Sequence, residues 1–163
     1  LKERKTLSHN TVEVDGLDSS QVWSGFRVAQ RASITSASAK VADNKSVLSA
    51  SHNGYRKMYG GPVHQRNMQL GKSSLHISDV LDGEFTQAIA RFYLHPDLAV
   101  TLTNGTLRVV GKHFEMTADL SEHQALLSQS EWHPSFGLSL QNQFLEILFS
   151  QSESHIEFTW IAK

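Results

Sequence analysis

The sequence predicts an all-β chain, a large antiparallel β-sandwich of the supersandwich kind. Polar and apolar residues alternate at period two along much of it, and turn residues separate the alternating runs at short intervals. At 163 residues it is long enough to bury a single core without disulfides or metals as staples.

The opening stretch LSHNTVEVDG, residues 7–16, sets Val12 and Val14 on one face of a short strand. His9, Thr11, Glu13 and Asp15 fall on the other. The pattern begins almost at once, with no cap or turn before it. That beginning suggests a C-terminal piece of a longer protein, truncated at its N-terminal edge. SITSASAKVADNKS, residues 33–46, is rich in Ser and Ala and reads as a frayed strand or a long hairpin tip. SHNGY, residues 51–55, sets a histidine and a tyrosine together at a loop where a strand ends.

Residues 63–81 read as a hairpin turning at GKSS, 71–74, which pairs Leu70 with Leu75, Met68 with Ile77 and Arg66 with Asp79 on one face. Gln65, Asn67 and Gln69 point the other way. Arg66 therefore faces the core, where a guanidinium needs a partner, and Asp79 lies across the ladder to take it bidentately. Two readings are open. The pair fixes the register of the sheet, or Arg66 and His64 bind a carboxylated or sulfated ligand.

Turn chemistry at YGGP (59–62), LDG (81–83), HPD (95–97) and NGT (104–106) delimits further strands. Phe114, Met116, Ala118 and Leu120 alternate with charged and polar neighbours, as do Ile156, Phe158 and Trp160. SEHQALLSQSE, 121–131, fits a helix opened by a capping box as well as it fits a strand. No repeat or linker divides the chain, so residues 1–163 form one domain.

Composition removes several function classes. Fifteen Lys and Arg stand against sixteen Asp and Glu, and no basic run follows the opening LKERK, so there is no electrostatic footprint for nucleic acid or an anionic membrane. No apolar run approaches the ~20 residues that span a bilayer. The absence of cysteine excludes thiolate catalysis and thiolate metal sites.

Nine histidines raise the question of a metal. His76, His95, His113, His123, His133 and His155 sit on polar strand faces, before prolines or near turns, and read as surface residues. His9 stands apart. Asp15 lies six residues on, about 20 Å along an extended strand, and cannot share a metal with it. Zinc requires three or four converging ligands, so a site at His9 draws on residues elsewhere, and no HxH or HExxH spacing supplies them.

Two blocks carry a resemblance. SHNTVEVDGLDSSQVWSGFRVAQRASI, followed by SASHNGYRKMYGGPVHQRNMQL and LHISDVLDG, resembles the heparinase II/III-like polysaccharide lyases: HNT, a short strand, DG, a Gln, a Trp, FR, then a GY pair, a His-x-Arg strand and a strand ending in Asp. The likeness is continuous over about residues 7–96, with a fainter echo in SFG at 135–137.

The resemblance implies an upstream α/α toroid packed against this sandwich. It also implies cleavage of uronic-acid-containing polysaccharide, such as a glycosaminoglycan or alginate, by β-elimination in a bacterial periplasmic or secreted enzyme. The family's base and acid lie mostly upstream of HNT, so no catalytic residue is assigned in this chain and the isolated piece is expected to be inactive. By the same resemblance His9 is a zinc ligand whose companions precede Leu1, and the piece alone is expected to hold zinc weakly or not at all. His64, Arg66 and Tyr55 match the family blocks and are candidates for substrate contact. A carbohydrate-binding module without catalysis is the alternative, with Trp23, Phe26, Tyr55 and Trp132 available to stack on sugars; a scaffold for a partner domain is another.

Overall fold

In the computed structural model, which describes residues 2–42 and 45–163, the alternation resolves into twelve strands among those residues. They are β1 (Val12–Val14), β2 (Ile34–Ala42), β3 (Lys45–His52), β4 (Val63–Leu70), β5 (Ser74–Asp82), β6 (Ala88–Tyr93), β7 (Ala99–Thr103), β8 (Thr106–Val110), β9 (Phe114–Asp119), β10 (Gln124–Ser135), β11 (Leu138–Phe149) and β12 (Glu153–Ala162). One short helix, α1 (Gly54–Tyr59), follows β3.

The strands form two antiparallel sheets. The smaller has the order β1-β6-β11-β10 and the larger β2-β3-β4-β5-β12-β9-β8-β7. Alternation assigns their facing sides: Val12, Val14, Ala88, Ala90, Leu145 and Ile147 from the small sheet meet Ile77, Leu81, Leu107, Val109, Ile156 and Phe158 from the large one. Phe92 sets its ring edge-on against Phe158, with centroids 5.7 Å apart, and joins the two layers. The larger sheet overhangs the smaller, and every residue of β2 is exposed. This overhang matches the Ser- and Ala-rich composition, which supplies little for a core to bury. The tip residues 43 and 44 of that hairpin lie outside the described residues.

The 63–81 hairpin has the register its sequence predicts, with Leu70 opposite Leu75, Met68 opposite Ile77 and Arg66 opposite Asp79. Elsewhere the structure departs from the sequence reading. Residues 124–135 form strand β10, not helix, because pairing with β11 turns Ala125 and Leu127 to one side of the small sheet. Pro134 is accommodated where the register shifts between Trp132 and Ser135, so its missing N–H costs no ladder bond. Two short 3-10 turns, Lys2–Arg4 and Thr6–Ser8, precede β1. The strand itself is only three residues long, so His9 stands before it, and Asp15 enters a left-handed turn (φ 51°) where its carboxylate accepts the N–H groups of Thr86 and Gln87.

The burial pattern sets the cost of truncation. Leu145→Ala, at a fully buried position of β11, is expected to destabilise the protein by about 2–5 kcal/mol. Phe136→Ala, at a fully exposed hairpin tip, is expected to change stability by no more than about 0.5 kcal/mol. Urea unfolding of the two variants measures the contrast.

Candidate functional site

The site is built around one carboxylate. Asp79 on β5 is almost wholly buried, and three donors converge on it. Arg66 Nε reaches Oδ1 at 2.7 Å, Arg66 Nη2 reaches Oδ2 at 2.8 Å, and His64 Nε2 reaches Oδ1 at 2.7 Å. Cross-strand pairing of β4 with β5 places all three residues on the inner face. Burial alone would push the Asp79 carboxyl upward, but the bonds from His64 and Arg66 outweigh it and hold the group below its ordinary range.

The network extends in two directions. Toward β3, His64 Nδ1 lies 3.2 Å from His52 Nε2, and the Gly54 N–H donates to His52 Nδ1 at 3.3 Å. Because His52 Nδ1 accepts, its Nε2 carries the proton and donates to His64 Nδ1. His64 then holds its proton on Nε2 and donates to Asp79. Each ring nitrogen is engaged in this arrangement. Burial, reinforced by the adjacent His64, lowers His52 to about 4. Gly54 starts α1 where a Cβ would overlap the Ser19 carbonyl, so glycine is needed there.

Toward the small sheet, Arg66 Nη1 donates to the Asn10 carbonyl at 2.7 Å, and its guanidinium carbon lies 5.3 Å from the centre of the Phe92 ring. Tyr55 on α1, fully buried, donates its hydroxyl to the Val12 carbonyl at 2.6 Å. Burial keeps that phenol protonated, raised above its ordinary value. Asn10 Oδ1 accepts the Tyr93 N–H at 2.8 Å, the Thr11 carbonyl accepts the Arg91 N–H at 3.0 Å, and the Tyr93 hydroxyl donates to the Leu7 carbonyl at 2.6 Å. The HNT segment is therefore bonded on both sides while the side chain of His9 is exposed.

The structure thus brings Tyr55, His64 and Arg66 together beneath the HNT segment, with their polar ends committed to internal partners. His9 lies at the surface above them. Among the described residues no three His, Cys, Asp or Glu side chains converge as metal ligands, so His9 does not make a zinc site with them. Sequence reasoning set His52 beside Tyr55 in SHNGY but missed its bond to His64 and the second arm of Arg66, because neither contact is encoded by spacing within one hairpin. The available signal was SHNGY, where a histidine closes a strand and a glycine permits the helix turn behind it.

The family model described as Heparinase II/III-like, C-terminal, matches residues 2–161. A heparan sulfate lyase HepC from Pedobacter heparinus superposes with a TM-score of 0.68 at 15% identity, over 98% of this chain and 24% of that one. The heparinase III BT4657 gene product gives a TM-score of 0.72 at 10% identity, over the same shares of 98% and 24%. The chain thus spans about a quarter of the length of these solved structures. No curated protein matches it by sequence.

Two measurements test the network. Asp79→Ala leaves Arg66 and His64 without an acceptor in the interior and is expected to cost about 3–5 kcal/mol. Arg66→Met is expected to cost less, since His64 still donates to Asp79 and the thioether fills the space against Phe92; equal costs would contradict this. The second measurement is the pH dependence of stability. His52 is held neutral in the fold, whereas in the unfolded chain it titrates at its ordinary 6.5. Its contribution is full above that pH and is lost as pH falls toward about 4. Allowing for water at the partly open ring, the loss is about 1–2 kcal/mol, and His52→Gln is expected to flatten that part of the profile.

Proposed function

Because the chain belongs to the family of heparinase II/III-like C-terminal domains, we propose that it is the β-sandwich domain of a lyase that cleaves uronic-acid-containing polysaccharide by β-elimination. The observation that carries this reading is the HNT segment, held by Arg66, Tyr55 and Tyr93 so that His9 stands exposed on a rigid base.

Elimination needs three things: neutralisation of the uronate carboxylate, a base for the adjacent carbon-bound proton, and an acid for the leaving oxygen. Inside this domain, His52 and His64 have both ring nitrogens engaged, and the Tyr55 hydroxyl is donated to a buried carbonyl. These groups hold backbone in place and transfer no proton. The base and acid then come from the rest of the full-length protein, an upstream α/α domain, and the isolated sandwich is inactive. Tyr55, His64 and Arg66 act on the polysaccharide through the segment they position. His9 supplies one imidazole to a zinc ion whose other ligands lie outside the described residues. The substrate is an acidic glycan of the glycosaminoglycan or alginate class, met in the periplasm or outside a bacterial cell.

A heparan sulfate lyase and a heparinase III share the fold, which supports an acidic glycan as the substrate. A direct assay decides it. Full-length protein incubated with heparin, hyaluronan or alginate is expected to release the ultraviolet-absorbing unsaturated uronate from at least one of them. Silence across all three would contradict the lyase reading and favour a binding or scaffold domain. In the same protein His9→Ala is expected to lower bound zinc, as measured by elemental analysis, and unchanged zinc would remove His9 from the ligands.

A further inference from the structure

On the outer face of the small sheet, away from the layer interface, lies a groove of about 490 Å³ lined by Glu3, Ser8, Tyr93, Ser130 to His133 and Asn142. That volume is within the ~300–1,000 Å³ of small-molecule sites. The β10–β11 hairpin builds one wall. Its register pairs Ser130 with Asn142 and Trp132 with Leu140, and residues 131–141 are exposed on both strands, so the hairpin projects beyond the body of the sheet. The 3-10 turns that precede β1 supply Glu3 and Ser8 opposite. Tyr93 is stacked on Phe144 at 4.8 Å and forms part of the lining.

Three features define what fits. Trp132 is 39% exposed and tilted against His95, with centroids 5.0 Å apart, so that ring backs one side of the indole while the residue borders the groove. Asn142 is only 6% exposed. Its Nδ2 donates to the Leu94 carbonyl at 3.2 Å, and its carboxamide oxygen has no hydrogen-bond partner among the described residues. Less than 1 Å² of that oxygen is open to solvent, so Asn142 forms the floor of the groove and offers a ligand no acceptor. At the rim, His133 Nε2 lies 3.4 Å from a carboxylate oxygen of Glu3 and 3.9 Å from one of Glu131, whose other oxygen accepts from Gln141 Nε2 at 3.3 Å. One imidazole between two carboxylates leaves an acceptor-rich edge that disfavours an anion.

An exposed indole, a serine hydroxyl and a carboxylate rim together suit a ligand with a flat C–H face and several hydroxyl donors. We propose that this groove binds an uncharged pyranose unit, stacked on Trp132 with its hydroxyls directed at Ser130 and Glu131. A sulfate or uronate in the same place would face two carboxylates. An apolar ligand would leave the acceptors unmet. This binding needs neither zinc nor the β-elimination chemistry, so it stands or falls separately from the lyase reading.

The test titrates the chain with cellobiose and with chitobiose, following backbone amide and Trp indole signals by NMR, with a heparin-derived tetrasaccharide as the anionic comparison. The expected result is saturable binding of an uncharged disaccharide in the millimolar range, with shifts centred on Trp132, Ser130 and the Asn142 side-chain amide. Trp132→Ala is expected to weaken it about tenfold, while Trp132→Phe, which keeps an aromatic face, stays within about threefold. Trp132 is on a projecting hairpin, and an unchanged amide spectrum elsewhere verifies that both variants fold. No saturable shift with either disaccharide would overturn the proposal. So would binding that survives Trp132→Ala, or tighter occupation of the same residues by the heparin tetrasaccharide.

Discussion

A single buried carboxylate organises the part of the molecule around the HNT segment. Asp79 accepts from Arg66 twice and from His64 once, and each donor has a further partner: Arg66 the carbonyl of Asn10, His64 the ring of His52. The carboxylate therefore couples three neighbouring strands of the large sheet to the chain entering the small one. An ion pair sealed from water is a poor source of net stability compared with apolar packing, because desolvation offsets most of the attraction. Its value here is geometric. Removing either partner leaves a buried group unmet, so alternative registers of β4 and alternative paths of residues 10–12 are penalised.

That coupling explains the shortness of β1. Three residues pair with β6, and a three-residue strand at a sheet edge would fray if ladder bonds were all that held it. Tyr55 and Arg66 reach across from the other layer to the carbonyls of Val12 and Asn10, while the N–H groups of Tyr93 and Arg91 hold Asn10 and Thr11 from within the small sheet. The result is a segment fixed by backbone contacts that leaves the His9 side chain at the surface. A ligand presented to a metal or a substrate requires that combination of fixed main chain and open side chain.

The sequence made some of this legible and hid the rest for identifiable reasons. Period-two alternation reports which face a residue occupies, and a hairpin with a short turn reports its own register; together they place Arg66 opposite Asp79 and both toward the core. Alternation cannot report what arrives from a distant strand, so the Asn10 carbonyl on Arg66 and the His52 ring on His64 were invisible. It also misleads at a strand's start: His9, Thr11 and Asp15 continue the pattern on paper, but the turn before Val12 and the left-handed Asp15 break the strand on both sides. Residues 121–131 were ambiguous because a capping box is a local signal, while the strand is imposed by pairing with β11. The outer groove left one trace in sequence, Trp132, whose exposure depends on how far the β10–β11 hairpin projects.

The Asp79 hub fixes the HNT segment from across the layer interface. Amide hydrogen exchange in Arg66→Met tests it most directly. Faster exchange is expected at residues 9–14 and their β6 partners, with β12 and β8 as protected as in the unaltered protein. Unchanged protection at residues 9–14 in a folded variant would contradict it, as would loosening spread evenly over both sheets.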